Sequence, residues 1–338
     1  MIFKKQSKQL AEGVLKLEEQ IKQLNERVFK LEDQILTKKK TLQSANWLKT
    51  NYSCPIPSDY YIETGNICNL ECPFCSTGLR LKGVKRGFLK LEDYKIILER
   101  IEHYARNICL YNYGEPFLNK DILSMVSMTE SKGILTSINS NLTVKAFDEK
   151  ESEAIVRTGL SHLSASIDGA SQETYSKYRI GGDIDVAINN LKQLQRAKVR
   201  LNSEKPHLCW GFLINKYNEN EQDRAKHIAS DIGVEIRFSL MDVWANKSWE
   251  STLHQKKYIP DVKNSDQPVK IENDHSLPIR VDSIKLHPNL FSWCIQPFNR
   301  MVVNWNGDVF PCCTVFEDRF AIGNILNTDI ELLWNNNG

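Results

Sequence analysis

Ile67-Cys68-Asn69-Leu70-Glu71-Cys72-Pro73-Phe74-Cys75 carries three cysteines at C-x-x-x-C-x-x-C spacing. One tight loop of that length can turn all three thiols onto a single metal centre. Thiolates are soft ligands that suit iron–sulfur clusters, zinc or copper(I). Structural zinc normally closes with four ligands, often drawn from a matching second pair. No fourth Cys or His follows Cys75 nearby. A 4Fe–4S cluster has four iron corners, so three local cysteines leave one iron open to another ligand. A zinc knuckle, or thiols with no shared role, is the alternative reading of this spacing.

Working outward, residues 59–240 alternate strand-like and helix-like runs. Residues 60–63 lead into the cysteine loop. The patterning predicts helices near 91–104, 120–131, 148–158, 184–197 and 219–232, and strands at 108–113, 134–138, 163–167, 208–214 and 234–240. Strands separated by helix-length spacers argue for parallel pairing through crossover helices. A doubly wound six-stranded sheet and an open barrel both satisfy that string. In either fold, chemistry collects at the carboxyl ends of the strands. Cys109 and Cys209 fall inside apolar strands and read as small core residues.

The cysteine triad, with the aromatic Phe74 just before its last member, resembles the radical S-adenosylmethionine (SAM) superfamily. That resemblance implies an open (β/α)6 partial barrel whose cluster binds SAM through the open iron. There an electron cleaves SAM to a 5′-deoxyadenosyl radical, which abstracts hydrogen from a substrate. Further segments carry the likeness. Tyr113-Gly114-Glu115-Pro116 resembles the family's G-E-P element, in which a turn and a carboxylate meet the SAM amino group. Ser137-Ile138-Asn139-Ser140-Asn141 resembles a segment with an SAM-contacting Asn, although the usual Thr and Gly are absent; Asn139 is the candidate, Asn141 the reserve, and a helix-capping role the alternative. Ser166-Ile167-Asp168-Gly169, followed by Tyr175 and Arg179, matches a signature whose Ser and Arg hold the methionine carboxylate or nearby ribose. A rigid guanidinium fork suits a carboxylate and stays charged. Asp168 is expected to shape its turn rather than to perform chemistry.

Residues 241–290 are polar and weakly periodic and read as a linker. Beyond them, 291–338 show a new pattern. Two apolar runs flank Asn306-Gly307, a dipeptide that favours a two-residue hairpin turn. This hairpin would bring Cys294, Cys312 and Cys313 together. It resembles the SPASM or twitch auxiliary iron–sulfur domain, with a Cys before the hairpin, the Gly307-to-Cys312 element and Gly323-Asn324-Ile325. The sequence ends where that family usually adds cysteines, so the fourth ligand position is open to substrate, to Cys54 or Cys209, or lost by truncation. A zinc hairpin or free thiols is the alternative there.

Toward the amino terminus, 46–58 read as a proline-punctuated linker, and 1–45 as a helix. Leu10, Val14, Leu17, Ile21, Leu24, Val28, Leu31 and Ile35 keep an unbroken heptad. β-Branched residues at a with Leu at d favour a parallel two-stranded coiled coil. Residues 10–35 are therefore expected to form a homodimer or dock a partner. A lone amphipathic helix is the competing reading.

Composition bounds the rest. The 338 residues carry a net charge of +2, which gives no sign of nucleic-acid or membrane partners. No signal peptide or apolar span is visible. Nine unevenly spaced cysteines suit a reducing cytoplasm with metal sites better than a disulfide scaffold. Together these readings predict a radical SAM enzyme of oxidoreductase type. Cys68, Cys72 and Cys75 would hold the SAM cluster, Phe74, Gly114, Glu115, Asn139, Ser166 and Arg179 the cofactor, and Cys294, Cys312 and Cys313 a second cluster. The resemblance implies a flavodoxin- or ferredoxin-like electron donor, and a peptide or a sugar-like small molecule as substrate. With no winged leader-binding segment before the barrel, the sequence favours a carbohydrate-type or other small molecule, or a protein recruited through the coiled coil. No catalytic acid, base or radical relay is identified. The rival reading is a non-catalytic iron–sulfur or zinc scaffold assembled through its coiled coil.

Overall fold

Every second residue along the strands is apolar, and those residues form one face of the sheet. Tyr60, Ile62, Ile108, Ile138, Leu163, Ala165, Leu208, Trp210, Phe212, Met301 and Val303 are buried in one core with residues of the flanking helices. The computed structural model describes residues 55–81, 84–241, 246–253, 299–315 and 317–335. The heptads of 10–35, Cys54, Cys294 and most of 241–290 lie outside the described residues.

The elements run β1 (Asp59–Ile62), α1 (Leu91–Ile101), β2 (Asn107–Cys109), α2 (Ile122–Glu130), β3 (Leu135–Ser140), α3 (Glu149–Arg157), β4 (His162–Ser166), α4 (Gln172–Tyr178), α5 (Ile184–Arg200), β5 (His207–Ile214), α6 (Gln222–Ile232) and β6 (Glu235–Leu240). After these come β7 (Arg300–Val303), β8 (Asp308–Phe310), β9 (Gly323–Asn324) and α7 (Ile330–Trp334). Among the described residues the sheet order is β6-β5-β4-β3-β2-β1-β7-β8-β9. From β1 to β6 each strand pairs in parallel with the next. A doubly wound sheet reverses direction at a switch point. Here the order never reverses, so the sheet is wound in one sense, as an open (β/α)6 partial barrel.

Local chemistry sets the boundaries. Asp148 and Glu151 close a capping box on α3, and Asp183 caps α5 through the amides of Asp185 and Val186. Gly233, at φ 79°, ends α6 in the left-handed conformation. Two expectations change. The strand expected over 108–113 pairs only through Cys109, because the chain turns away at Gly114, whose φ is 85°. A short helix, α4, also appears where none was expected. Ser171 caps it, and Tyr175 and Tyr178, three positions apart, bury its inner side.

β7 pairs in parallel with β1, then turns back into β8. The connection is not the expected two-residue turn. Val303 pairs with Val309, and the Asn304 amide donates to the Asp308 carbonyl at 2.8 Å. Only Gly307 of the loop has positive φ, 84°. A type I′ turn needs positive φ at both central residues, whereas a three-residue loop ending in a left-handed Gly needs one.

Candidate functional site

The inner face of the sheet is polar where the outer face is aliphatic. Ser137 and Asn139 on β3, Ser164 and Ser166 on β4, and Arg237 and Ser239 on β6 line a cavity of about 440 Å³. Cys68, Cys72 and Cys75 lie on its wall, together with Gly114, Glu115, Asp168 and Arg179. All but Phe74 of the cofactor candidates therefore meet at one cavity. Phe74 instead packs beside it, stacked on Tyr178 with centroids 6.3 Å apart and edge-on to Trp249 at 5.3 Å.

The cysteine loop is held from several sides. The Cys75 amide donates to the Cys72 carbonyl, and the Leu79 amide to that of Cys75. Asn141 Nδ2 reaches Cys68 Sγ at 3.6 Å and Asn69 Oδ1 at 3.0 Å. Burial pushes the Cys68 thiol up to about 12, with Glu115 and the two neighbouring cysteines adding to it. Cys72 is raised mainly by burial and opposed by Arg179. Without a metal the Cys68 and Cys72 thiols hold their protons more tightly than usual, and a metal that binds them as thiolates displaces those protons. Three soft donors on one wall, with a polar hollow beside them, fit a cluster that takes three thiolates and leaves a face toward a ligand.

Gly114 fixes the approach of this loop. A Cβ there would stand 2.2 Å from the Gly65 carbonyl oxygen. The next residue, Glu115, is buried, and its carboxylate knits strand ends together. Oε1 accepts from Ser140 Oγ at 2.7 Å and the Phe117 amide at 3.1 Å, while Oε2 accepts from the Asn141 amide at 2.8 Å. A carboxylate has about four lone-pair sites. Three are used, and one remains for an ammonium group.

On the opposite side Arg179 Nε donates to Asp168 Oδ2 at 2.6 Å, and the Leu213 amide donates to Oδ1 at 2.7 Å. Asp168 is fully buried. Burial works against the Arg179 charge, and Asp168 together with Cys72, Tyr178 and Tyr175 more than offsets it, so the guanidinium stays ionised. Asp168 is thus more than a turn residue: it aims Arg179. Ser166 Oγ donates to Asn139 Oδ1, linking β3 to β4 at the cavity.

Cys312 and Cys313 lie just past β8, both half-buried. Burial opposes ionisation of Cys312, but hydrogen bonds from Thr314 and Cys313 bring its thiol below its ordinary value. Cys294 lies outside the described residues. The pair supplies soft donors that fit part of a thiolate site. Cys109 and Cys209 are both buried, as expected, and Cys209 also borders the cavity.

The triad, the Gly114–Glu115 turn and Arg179 converge on one hollow. Residues 62–230 match the Radical SAM superfamily, and residues 294–338 match SPASM, an iron–sulfur cluster-binding domain. The chain belongs to the radical SAM superfamily. Its family-defined cofactors are a 4Fe–4S cluster and SAM, with further iron–sulfur binding in the SPASM part. The chain is 27% identical over 153 residues to the Fe-coproporphyrin III synthase of Methanosarcina barkeri, covering 45% of this chain and 35% of that protein. It is 25% identical over 179 residues to the PqqA peptide cyclase of Granulibacter bethesdensis, covering 52% and 45%. The matches therefore span less than half the length of these two curated relatives. Streptococcus suis SuiB, solved with its precursor peptide SuiA, superposes with a TM-score of 0.61 at 16% identity, over 88% of this chain and 70% of that one. That likeness is one of fold.

Sequence reading missed several wall residues of this radical SAM barrel, among them Tyr61, Tyr111, His162 and His207. The signal was present as the period-two alternation within each strand. Ser164 and Ser166, or Arg237 and Ser239, sit two apart and so share a face. No helix among the described residues is long and apolar enough to cross a membrane.

Proposed function

We propose that this chain is a radical SAM enzyme that oxidises its substrate, or forms a thioether on it, inside the barrel. The observation that carries this reading is the shared cavity of Cys68, Cys72 and Cys75 with Glu115, Asn139, Ser166 and Arg179. The cluster and SAM, when bound, supply reductive cleavage of SAM and hydrogen-atom abstraction. The protein's part is to hold and orient. Arg179, pinned by Asp168, offers its remaining N–H groups to a carboxylate. Glu115 keeps one acceptor site for an ammonium, and the Asn139–Ser166 pair presents a polar edge for a ribose. The rest of the wall is rich in hydroxyl groups, from Tyr61, Tyr111, Ser137, Ser164 and Ser239. Such a wall favours a small hydroxylated substrate such as a sugar, with a short segment of a peptide as the second candidate. The PqqA peptide cyclase and SuiB, named for or solved with peptides, support the second.

In this reading residues 59–240 are the catalytic core, and 291–338, with Cys294, Cys312 and Cys313, form the auxiliary-cluster domain. A flavodoxin- or ferredoxin-like protein delivers the electron, residues 10–35 pair two chains, and the enzyme works in the cytoplasm. Reconstituted anaerobically and reduced, the protein should release 5′-deoxyadenosine from SAM. Cys68→Ala, Cys72→Ala and Cys75→Ala together should abolish that release and remove about four irons per chain. Zinc in place of iron, or no 5′-deoxyadenosine from fully loaded protein, would sink the enzyme reading. Sizing a chain lacking residues 1–45 tests the pairing: a dimer that survives the deletion excludes the helix as the sole interface.

A further inference from the structure

Asn141 follows β3 directly and is buried. Its Oδ1 accepts from the Thr143 amide and from Thr143 Oγ1, both at 2.8 Å. Its Nδ2 donates to Asn69 Oδ1 at 3.0 Å and to the sulfur of Cys68 at 3.6 Å. A side-chain amide has two N–H donors and two oxygen lone pairs. All four are occupied within the protein, which leaves none for SAM.

This orientation has no alternative. A backbone N–H can only donate, so the Thr143 amide requires Oδ1 on its side, and the NH2 group must then face the sulfur. Asn69 is fixed in the same way, because its Nδ2 donates to the Thr143 carbonyl at 3.3 Å and to Thr143 Oγ1 at 3.1 Å. The turn that carries Asn141 is held as well. Leu142, at φ 54°, takes the left-handed conformation, which costs a non-glycine residue about 1–3 kcal/mol. Its carbonyl accepts from the buried Asn190 of α5 at 2.9 Å. Two N–H groups therefore point at Cys68 Sγ, since the Leu70 amide approaches it at 3.4 Å. The Leu70 donor belongs to the cysteine loop itself. Asn141 reaches the sulfur from another strand end, and its backbone N–H binds Glu115.

We propose that Asn141 is a tuning residue for the cluster that Cys68, Cys72 and Cys75 would hold, and that its N–H on the Cys68 sulfur raises that cluster's reduction potential. The inference rests on the reading of those three cysteines as the ligands. Hydrogen bonds to the sulfurs are among the terms that fix an iron–sulfur potential. One-electron reduction adds a negative charge that the cluster shares with its thiolates. A donor aimed at one of them stabilises the reduced form more than the oxidised form. Losing it makes the reduction harder, so a stronger reductant is needed to load the cluster.

The test uses the full iron-loaded chain carrying Cys312→Ala and Cys313→Ala, so that the triad is the cluster site followed. It is titrated with dithionite in the absence of SAM and read by electron paramagnetic resonance. Asn141→Leu removes the donor, and Asn141→Asp puts a charged acceptor in its place; both keep the backbone N–H on Glu115. Both midpoints should move to more negative potential, that of Asn141→Asp further. A lost SAM contact cannot produce this shift, because SAM is absent. Midpoints that stay in place or move to more positive potential overturn the proposal. So does iron lost from both variants, which would make Asn141 a packing residue of the cysteine loop. If one variant alone loses its iron, the midpoint of the other decides by the same rule. A background that holds no iron before Asn141 is changed overturns the reading of the triad as ligands, and the proposal with it.

Discussion

The two sides of β1 treat charge in opposite ways. Around the SAM side of the cavity each buried ionic group is already answered. Glu115 takes three hydrogen bonds, and Arg179 and Asp168 face each other at 2.6 Å. Where β1 meets the hairpin strand β7, charges are left open. Among the described residues Arg300 has a ring but no carboxylate, and the fully buried Glu63 has no ion-pair partner, only the nearby amides of Trp305 and Tyr113. The first side is preorganised, so its side chains need no rearrangement to meet a zwitterionic ligand. The second side holds groups that no opposite charge among the described residues answers.

Breaking the answered side should cost most. Asp168→Asn leaves the Arg179 guanidinium, 15% exposed at the cavity wall, without its counter-charge. Loss of one partner from a fully buried pair costs about 3–5 kcal/mol, and denaturant unfolding of the variant should show a loss at or below the lower end of that range. SAM binding, read by calorimetry on the iron-loaded protein, should weaken by at least about tenfold, since a loosened guanidinium no longer waits in place. A variant as stable as the natural chain, with unchanged SAM affinity, would erase the contrast between the two sides.

The same contrast explains what the sequence could reveal. The cysteine loop, Gly114–Glu115 and the Ser166-to-Arg179 element were legible because each is a local pattern with a local reason: spacing for thiols, positive φ at Gly114, a strand end followed by a cation. The barrel was legible through alternation, yet strand order had to come from the ladder, since β7 inserts beside β1 from some 240 residues away. Asp168 looked like a turn residue because its partner, Arg179, lies a whole helix later, across α4. Glu63 and Arg300 were invisible for a related reason. Each sits in an apolar-looking strand, Asp59–Ile62 leading into Glu63 and Arg300–Val303. Only the pairing of those two strands shows that neither group reaches water. Asn306-Gly307 misled because the favoured two-residue turn and the three-residue loop share the same glycine.

Glu63 gives the finer test of the unanswered side. Burial pushes its carboxyl up to about 8, with the nearby amides of Trp305 and Tyr113 pulling the other way. In the unfolded chain an ordinary glutamate titrates near 4.3. Between those values the folded protein holds a proton that the unfolded chain has released, so stability falls as pH rises. Glu63→Gln keeps the shape and removes the titration. The difference in unfolding free energy between the variant and the natural chain should therefore grow in the variant's favour from pH 6 to pH 8. The expected slope is on the order of 1 kcal/mol per pH unit, somewhat under the ideal value because a buried site relaxes around its charge. Below about pH 4 the slope should vanish, since both states are then protonated. A difference that is flat across this range would mean that the Glu63 carboxylate finds a partner as it ionises. Arg86, exposed at the rim of the same small cavity, is the cation placed to supply one. In that event the Glu63→Gln, Arg86→Gln double variant should match Glu63→Gln alone, while Arg86→Gln by itself should uncover the missing slope.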